Sequence, residues 1–175
     1  KSPDDAYALA LLHALLDGGL SARLEQRLVR EQRLLTAVSS SYGLFNRGGS
    51  VFMVTGVPDQ GKTLAAARQA ILAEIERLKT DPISPAELAR VKTNYLADLI
   101  YNQDSISGQA QLIGQLESAD LSHHLIEQLP ANFDRLSVEF LQDVAKRYLT
   151  LDSLSTLYLA PQPPSTPTTT GGTAP

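Results

Sequence analysis

Three arginines, Arg23, Arg27 and Arg30, recur at three- and four-residue spacing within DGGLSARLEQRLVREQRLLTAV, Asp17 to Val38. On a helix that spacing gathers them on one face. A guanidinium is a permanently charged fork of donors, matched to a carboxylate, a phosphate or a polarised carbonyl. Such a face can hold a substrate or a partner. It can equally border an apolar stripe and leave its charged heads in water. Glu31, four residues after Arg27, is the local partner expected for that arginine.

A second constellation is Gly56-Val57-Pro58-Asp59-Gln60-Gly61-Lys62-Thr63, which matches G-x-x-x-x-G-K-[ST] between an expected strand and an expected helix. In a phosphate-cradling loop, Gly61, Lys62 and Thr63 would carry the nucleotide contacts. The surroundings argue otherwise. The preceding strand reads as half of a hairpin, whereas a nucleoside triphosphatase of this type needs a parallel sheet. No later apolar strand ends in an aspartate that would help to hold magnesium. The helical register also starts the following helix near Asp59 or Gln60, which places Lys62 and Thr63 in a solvated first turn.

Metal and nucleophile chemistry find little support. The histidines are His13, His123 and His124. Adjacent histidines on a helix point about 100° apart and do not form an i, i+4 ligand pair. Neither H-E-x-x-H nor H-x-x-E-H occurs, so no metal is expected in this chain. His13 lies in an apolar helical stretch and reads as a core or boundary residue. Asp4 and Asp5 read as helix-start charges. No Ser/His/Asp set can be assembled.

The elements that must position these residues follow from periodicity. Ser2, Pro3 and Asp5 supply an N-terminal capping signal for a first helix to about Leu16, broad enough in leucine to be well buried. Gly18 and Gly19 stop it. A second helix spans about Ser21 to Gln32. Leu34 to Tyr42 and Ser50 to Val57 read as strands joined by GLFNRGG, an antiparallel hairpin. A long helix to about Lys79 follows, then one opened by Ser84-Pro85-Ala86-Glu87. Further helices start at Asp104 or Ser105, near Ser122 and at Ser137, and Leu154 to Leu159 reads as a last strand. The expected class is α+β, an antiparallel sheet packed against six or seven helices. Three strands make a thin sheet for so many helices. A strand preceding residue 1 would mend it, and the opening KSPDD, which starts a helix at once, suits a piece cut from a longer polypeptide.

Composition bounds the rest. Hydrophobic residues make up 43% of 175, enough for one core, and the net charge is −4 with a pI near 5.3. No basic run suggests a nucleic-acid partner. No apolar run is long enough to span a membrane, and there is no cysteine. Residues 1–160 are expected to form one domain, and 161–175, the low-complexity run PQPPSTPTTTGGTAP, a disordered Pro/Thr-rich tail.

Three segments together resemble the M16 zinc metallopeptidases, the pitrilysin, insulysin and processing-peptidase group. They are LLDGGLSARLEQRLVREQRLLTAVSSSY, IERLKTDPISPAELARVK and LSVEFLQDVAKRYLTLDSLSTLYLAP, in family order and covering about residues 4 to 161. The likeness is to the non-catalytic half. It implies a substrate-chamber wall that supports peptide hydrolysis by a zinc-bearing H-x-x-E-H half, in the same polypeptide or a partner subunit. Zinc would lie in that other half, and this chain alone would be inactive. The family's substrate-holding arginine falls on Arg30. Its tyrosine falls on Ala37, a departure. Tyr42 is five residues further along the strand and points to the opposite face. The likeness also implies a periplasmic setting. A structural module without proteolysis is the alternative that the same likeness allows.

Overall fold

A computed structural model describes residues 2–19, 21–101 and 104–160; the Pro/Thr-rich tail expected to be disordered lies outside them. The first helix, α1 (Pro3–Asp17), is the axis of the molecule. Tyr7 to Leu12, with Leu15 and Leu16, are buried, so nearly the whole circumference is covered, as its wide leucine stripe requires. Strands β1 (Leu35–Tyr42) and β2 (Phe52–Pro58) pair antiparallel, with Leu35 opposite Pro58, Tyr42 opposite Phe52 and an irregularity between Leu35 and Ala37. Helices α2 (Leu64–Thr80), α3 (Pro85–Tyr101), α4 (Ile106–Ser118), α5 (Leu125–Asp134) and α6 (Val138–Tyr148) complete the layer. Helices α3, α5 and α6 pack on α1, and α2 packs on β2 and α6. Phe133 of α5 sits between Tyr7 of α1 and Tyr95 of α3, edge-on to both at 5.8 and 5.1 Å.

Local signals place most helix starts. The Ser84, Ser105 and Ser137 hydroxyls accept the backbone N–H of Glu87, Gly108 and Phe140. At the end of α5, Lys92 of α3 donates to the carbonyls of Asp134 and Leu136, which satisfies groups that a helix terminus leaves open.

Four expectations are corrected. The second helix is not α-helical throughout: Glu25–Glu31 is a π-helix, and Arg33 at φ 49° turns the chain into β1. Helix α2 begins at Leu64, not near Asp59. Thr63 is its N-cap, accepting from Ala66 N–H at 3.1 Å. Helix α5 starts three residues later than Ser122, so His123 and His124 lie in the turn before it with rings 4.2 Å apart, not splayed by 100°. Leu154 to Leu159 is not a strand. A short 3-10 turn, Leu151–Ser153, leads into chain with no strand partner among the described residues. A strand is defined by its neighbour's hydrogen bonds, and propensity alone supplies none.

The hairpin has two unlike faces. Val38, Tyr42, Phe52 and Val54 lean on the core, whereas Ala37, Ser39, Ser41, Met53, Thr55 and Val57 face outward. Gly56 permits close packing of α2, since a Cβ there would lie 2.9 Å from Ile71 Cδ1 and 3.1 Å from Leu35 Cδ1.

Candidate functional site

The three arginines separate once the chain folds. Arg23 reaches α3, where its Nε and Nη2 grip both oxygens of Glu87 at 3.0 and 2.8 Å. That contact holds the Glu87 carboxyl below its ordinary pKa. Arg27 reaches α2, where Nη1 meets Glu74 Oε2 at 2.8 Å and stands 3.6 Å from Asp81. The hydrogen bond to Glu74 raises the arginine's pKa further. Arg23 and Arg27 are therefore cross-element ties, not heads left in water, and Glu31 is not the hydrogen-bond partner of Arg27. The π-helix and the tertiary partners lie outside any i, i+4 pattern.

Arg30 is left facing outward with its side chain 52% exposed. Its Nε lies 3.4 Å from Glu25 Oε1. A five-residue turn of π-helix brings that i, i+5 pair together. Arg30 lines an open depression of about 610 Å³ with Ser21, Gln26 and Glu31. A guanidinium in this position offers its outer donors to an incoming carbonyl or carboxylate. Ala37 lies on the outward face of the hairpin, and Tyr42 lies on the core side, 6.0 Å from Phe52. The tyrosine of this strand therefore does not share the outward face with position 37.

The nucleotide-like residues have structural duties. Gly56 makes room for Ile71. Gly61, at φ 77°, completes the turn in which Lys62 N–H donates to the Asp59 carbonyl. Thr63 caps α2. Lys62 is exposed. The preceding strand, β2, is antiparallel to its neighbour. Thr63→Ala is expected to lower stability by about 1 kcal/mol in urea denaturation, as loss of a cap does.

A smaller cavity of about 250 Å³ lies between α1 and α3, lined in part by His13, Asp17, Asn94, Tyr95 and Asp98. His13 Nδ1 is 2.6 Å from Ser40 Oγ, and Asp17 accepts the Ser40 N–H at 2.6 Å, so both bind α1 to β1. Burial lowers the His13 pKa and pushes the Tyr95 phenol up to about 12. Among the described residues no group of three His, Cys, Asp or Glu side chains is placed to hold a metal ion, and no helix is long and apolar enough to cross a membrane.

Sequence reasoning overlooked the charge cluster that joins the two ends of the fold. Asp5 of α1 accepts Arg147 Nη2 at 2.8 Å through Oδ1, and Arg147 Nη1 at 3.2 Å, Tyr148 Oη at 2.8 Å and Ser2 N–H at 3.3 Å through Oδ2. Its pKa falls to about 2, chiefly through Arg147. Apart from Ser2, whose N–H belongs to the local capping signal, the partners Arg147 and Tyr148 are more than 140 positions away, and no local pattern joins them to Asp5.

The same fold recurs in known proteins. A protease from Helicobacter pylori of known structure superposes with a TM-score of 0.76 at 31% identity, over 84% of this chain and 35% of that one. The inactive peptidase domain of a Bordetella parapertussis protein described as a zinc protease superposes with a TM-score of 0.78 at 20% identity, over 94% of this chain and 87% of that one. In sequence, the chain is 31% identical to the zinc protease PqqE of Helicobacter pylori over 158 residues, 90% of this chain and 35% of PqqE. An uncharacterised zinc protease of Mycobacterium bovis is 26% identical over 144 residues, 82% of this chain and 32% of that protein. The chain thus spans about a third of the length of these curated relatives. Residues 1–95 match the family model of the M16 peptidase inactive domain. The arginine-bearing helix, the hairpin and the arginine ties to Glu74 and Glu87 all fall inside that match, and the chain belongs to the inactive-domain family of the M16 peptidases.

Proposed function

We propose that this domain forms one wall of the substrate chamber of an M16-type zinc peptidase, with Arg30 as its contact to the peptide. Hydrolysis would occur on a zinc-bearing half elsewhere in the polypeptide or in a partner subunit. The observation that carries this reading is the division of labour among the arginines. Arg23 and Arg27 are committed to Glu87 and Glu74, while Arg30 stays exposed in an open depression. An arginine on a chamber wall can hold a peptide carbonyl or carboxylate by charge-assisted hydrogen bonds. With Ala37 at the position of the family tyrosine, this wall positions substrate through the guanidinium alone. The likeness to longer zinc proteases supports zinc in the other half and favours the peptidase over a purely structural module. A periplasmic setting belongs to the same reading and rests on the family likeness.

The test is peptide hydrolysis by the complete zinc-bearing protein. Arg30→Ala is expected to lower kcat/KM about tenfold to a hundredfold, the worth of one charged hydrogen bond to substrate. Thermal stability should stay unchanged, because the side chain is exposed. A chelator should abolish hydrolysis without unfolding the 175-residue domain. Unchanged kcat/KM in Arg30→Ala would remove the substrate role. Chelator-sensitive peptidase activity in the 175-residue chain alone would remove the chamber-wall reading.

A further inference from the structure

The cavity of about 250 Å³ between α1 and α3 plays no part in the chamber-wall reading, and Arg30 does not line it. Its walls are of two kinds. Ala14, Val91 and Leu99 supply an apolar side continuous with the core. His13, Asp17, Asn94, Tyr95 and Asp98 supply the polar side. Asn94 and Asp98 are exposed and stand at the mouth, whereas His13, Asp17 and Tyr95 are half-buried. A concave apolar surface with a few convergent polar groups, two of them with shifted pKa values, is the usual form of a small-ligand site.

The charge of this cavity has one sign. Helix α1 contains no lysine or arginine. The two cations of α3 are engaged elsewhere, Arg90 with Ser21 Oγ and Lys92 with the carbonyls of Asp134 and Leu136. Burial lowers the His13 pKa, so the ring is neutral at pH 7. Asp17 is the last residue of α1, and no basic residue lies in that last turn. A carboxylate therefore stands at the negative end of the helix dipole, where a cation is the favoured group. Asp98 has no hydrogen bond or ion pair among the described residues. Tyr95 packs its ring on Phe133, and its hydroxyl has no hydrogen-bond partner among the described residues. Burial pushes that phenol up to about 12, so it offers a neutral oxygen to a donor.

We propose that the cavity between α1 and α3 binds a primary ammonium group carried on an alkyl stem, with Asp17, Asp98 and the Tyr95 hydroxyl around the ammonium and Ala14, Val91 and Leu99 along the stem. An ammonium has three donors and no acceptor, which matches two carboxylates and a phenol oxygen. Asp17 already has Oδ2 on the Ser40 N–H, so it suits a compact point charge better than a guanidinium fork that needs both oxygens. The same group occurs on a free alkylamine and on a lysine side chain of a peptide. This site does not depend on peptide hydrolysis, and Arg30→Ala leaves it untouched.

Titration of the 175-residue chain with n-butylammonium, followed by backbone amide NMR shifts, tests it. Shifts should saturate with a Kd in the millimolar range and concentrate at residues 13–18 and 91–99. Butanol, which has the stem without the charge, should bind at least about tenfold more weakly, and butyrate should not bind. Asp98→Asn should weaken the ammonium about tenfold and leave the Tm unchanged, because Asp98 is exposed and ties no element to another. Tyr95→Phe keeps the ring on Phe133 and should weaken it several-fold. An acetylated lysine amide and a lysine-containing pentapeptide are titrated in parallel. Tighter binding of the pentapeptide identifies a peptide side chain as the occupant, and tighter binding of the free amine identifies a small amine; either supports the site. Equal binding of butanol and butylammonium overturns the proposal, and so do shifts spread over the acidic surface that Asp98→Asn does not change.

Discussion

Glu74→Ala is expected to destabilise the domain by about 3 kcal/mol, read as a lowered urea midpoint. Glu74 is 2% exposed, yet it is charged and lies on a helix whose other buried residues are Ala67, Leu78 and Lys79. Its two oxygens serve two arginines, Arg27 at 2.8 Å and Arg77 at 2.7 Å. Truncation leaves Arg77 without the carboxylate it bonds, leaves Arg27 with only Asp81 at 3.6 Å, and opens a void behind α2. Both guanidinium groups keep a path to water, which places the cost at the lower end of the range for a broken buried pair. Glu74→Gln keeps the volume and one acceptor and should cost less, about 1–2 kcal/mol. Arg27→Ala should also cost less than Glu74→Ala, because Arg77 still neutralises the carboxylate. If Glu74→Ala and Arg27→Ala prove equally mild, the two-arginine account of this glutamate is wrong.

The second large effect is tied to pH. Asp5 is 4% exposed, and its pKa is drawn from 3.8 to about 2, first by the Arg147 hydrogen bonds and further by Tyr148 and the Ser2 N–H. The unfolded chain binds this proton more readily than the folded one. The resulting stability is fully present above about pH 4 and is lost as pH falls toward 2. Asp5→Asn should therefore lower stability by about 2 kcal/mol at pH 7, and the gap to the parent should close in the pH 2–4 window. Denaturant midpoints for both proteins between pH 2 and 7 give the comparison. A gap that stays constant across that window would mean that packing, not charge, makes Asp5 matter. Because the cluster joins α1 to α6, this variant should also loosen the end of α6.

Much of the fold was legible in local sequence. Ser84, Ser105 and Ser137 sit where short hydroxyl side chains can satisfy helix-start donors, and each does. The GLFNRGG link between two β-branched runs gave the hairpin and its antiparallel sense. The leucine circumference of α1 gave a central buried helix. These features depend on neighbours a few residues away. The expected strand at Leu154 to Leu159 shows the opposite case, because a ladder needs another chain segment beside it.

The candidate site was half legible. Position 30 could be singled out by family likeness, and the face opposition of Ala37 and Tyr42 follows from the two-residue period of a strand. The fates of Arg23 and Arg27 could not be read, since their partners lie 64 and 47 residues away. The glycines of the nucleotide-like run show the same limit. Their pattern matches a phosphate loop, while packing against Ile71 and a turn at Gly61 account for them.

The sequence by itself therefore determined the α+β class, the helix starts capped by Ser84, Ser105 and Ser137, the hairpin and the family to which the arginine-bearing segment belongs, because caps, turns and periodicity act over a few residues. Only the tertiary structure decided which of the three arginines stays exposed, which partners Glu74 and Asp5 are buried against, and that the last apolar run lacks a strand partner among the described residues. Each of those depends on which distant side chain or strand comes within hydrogen-bond reach.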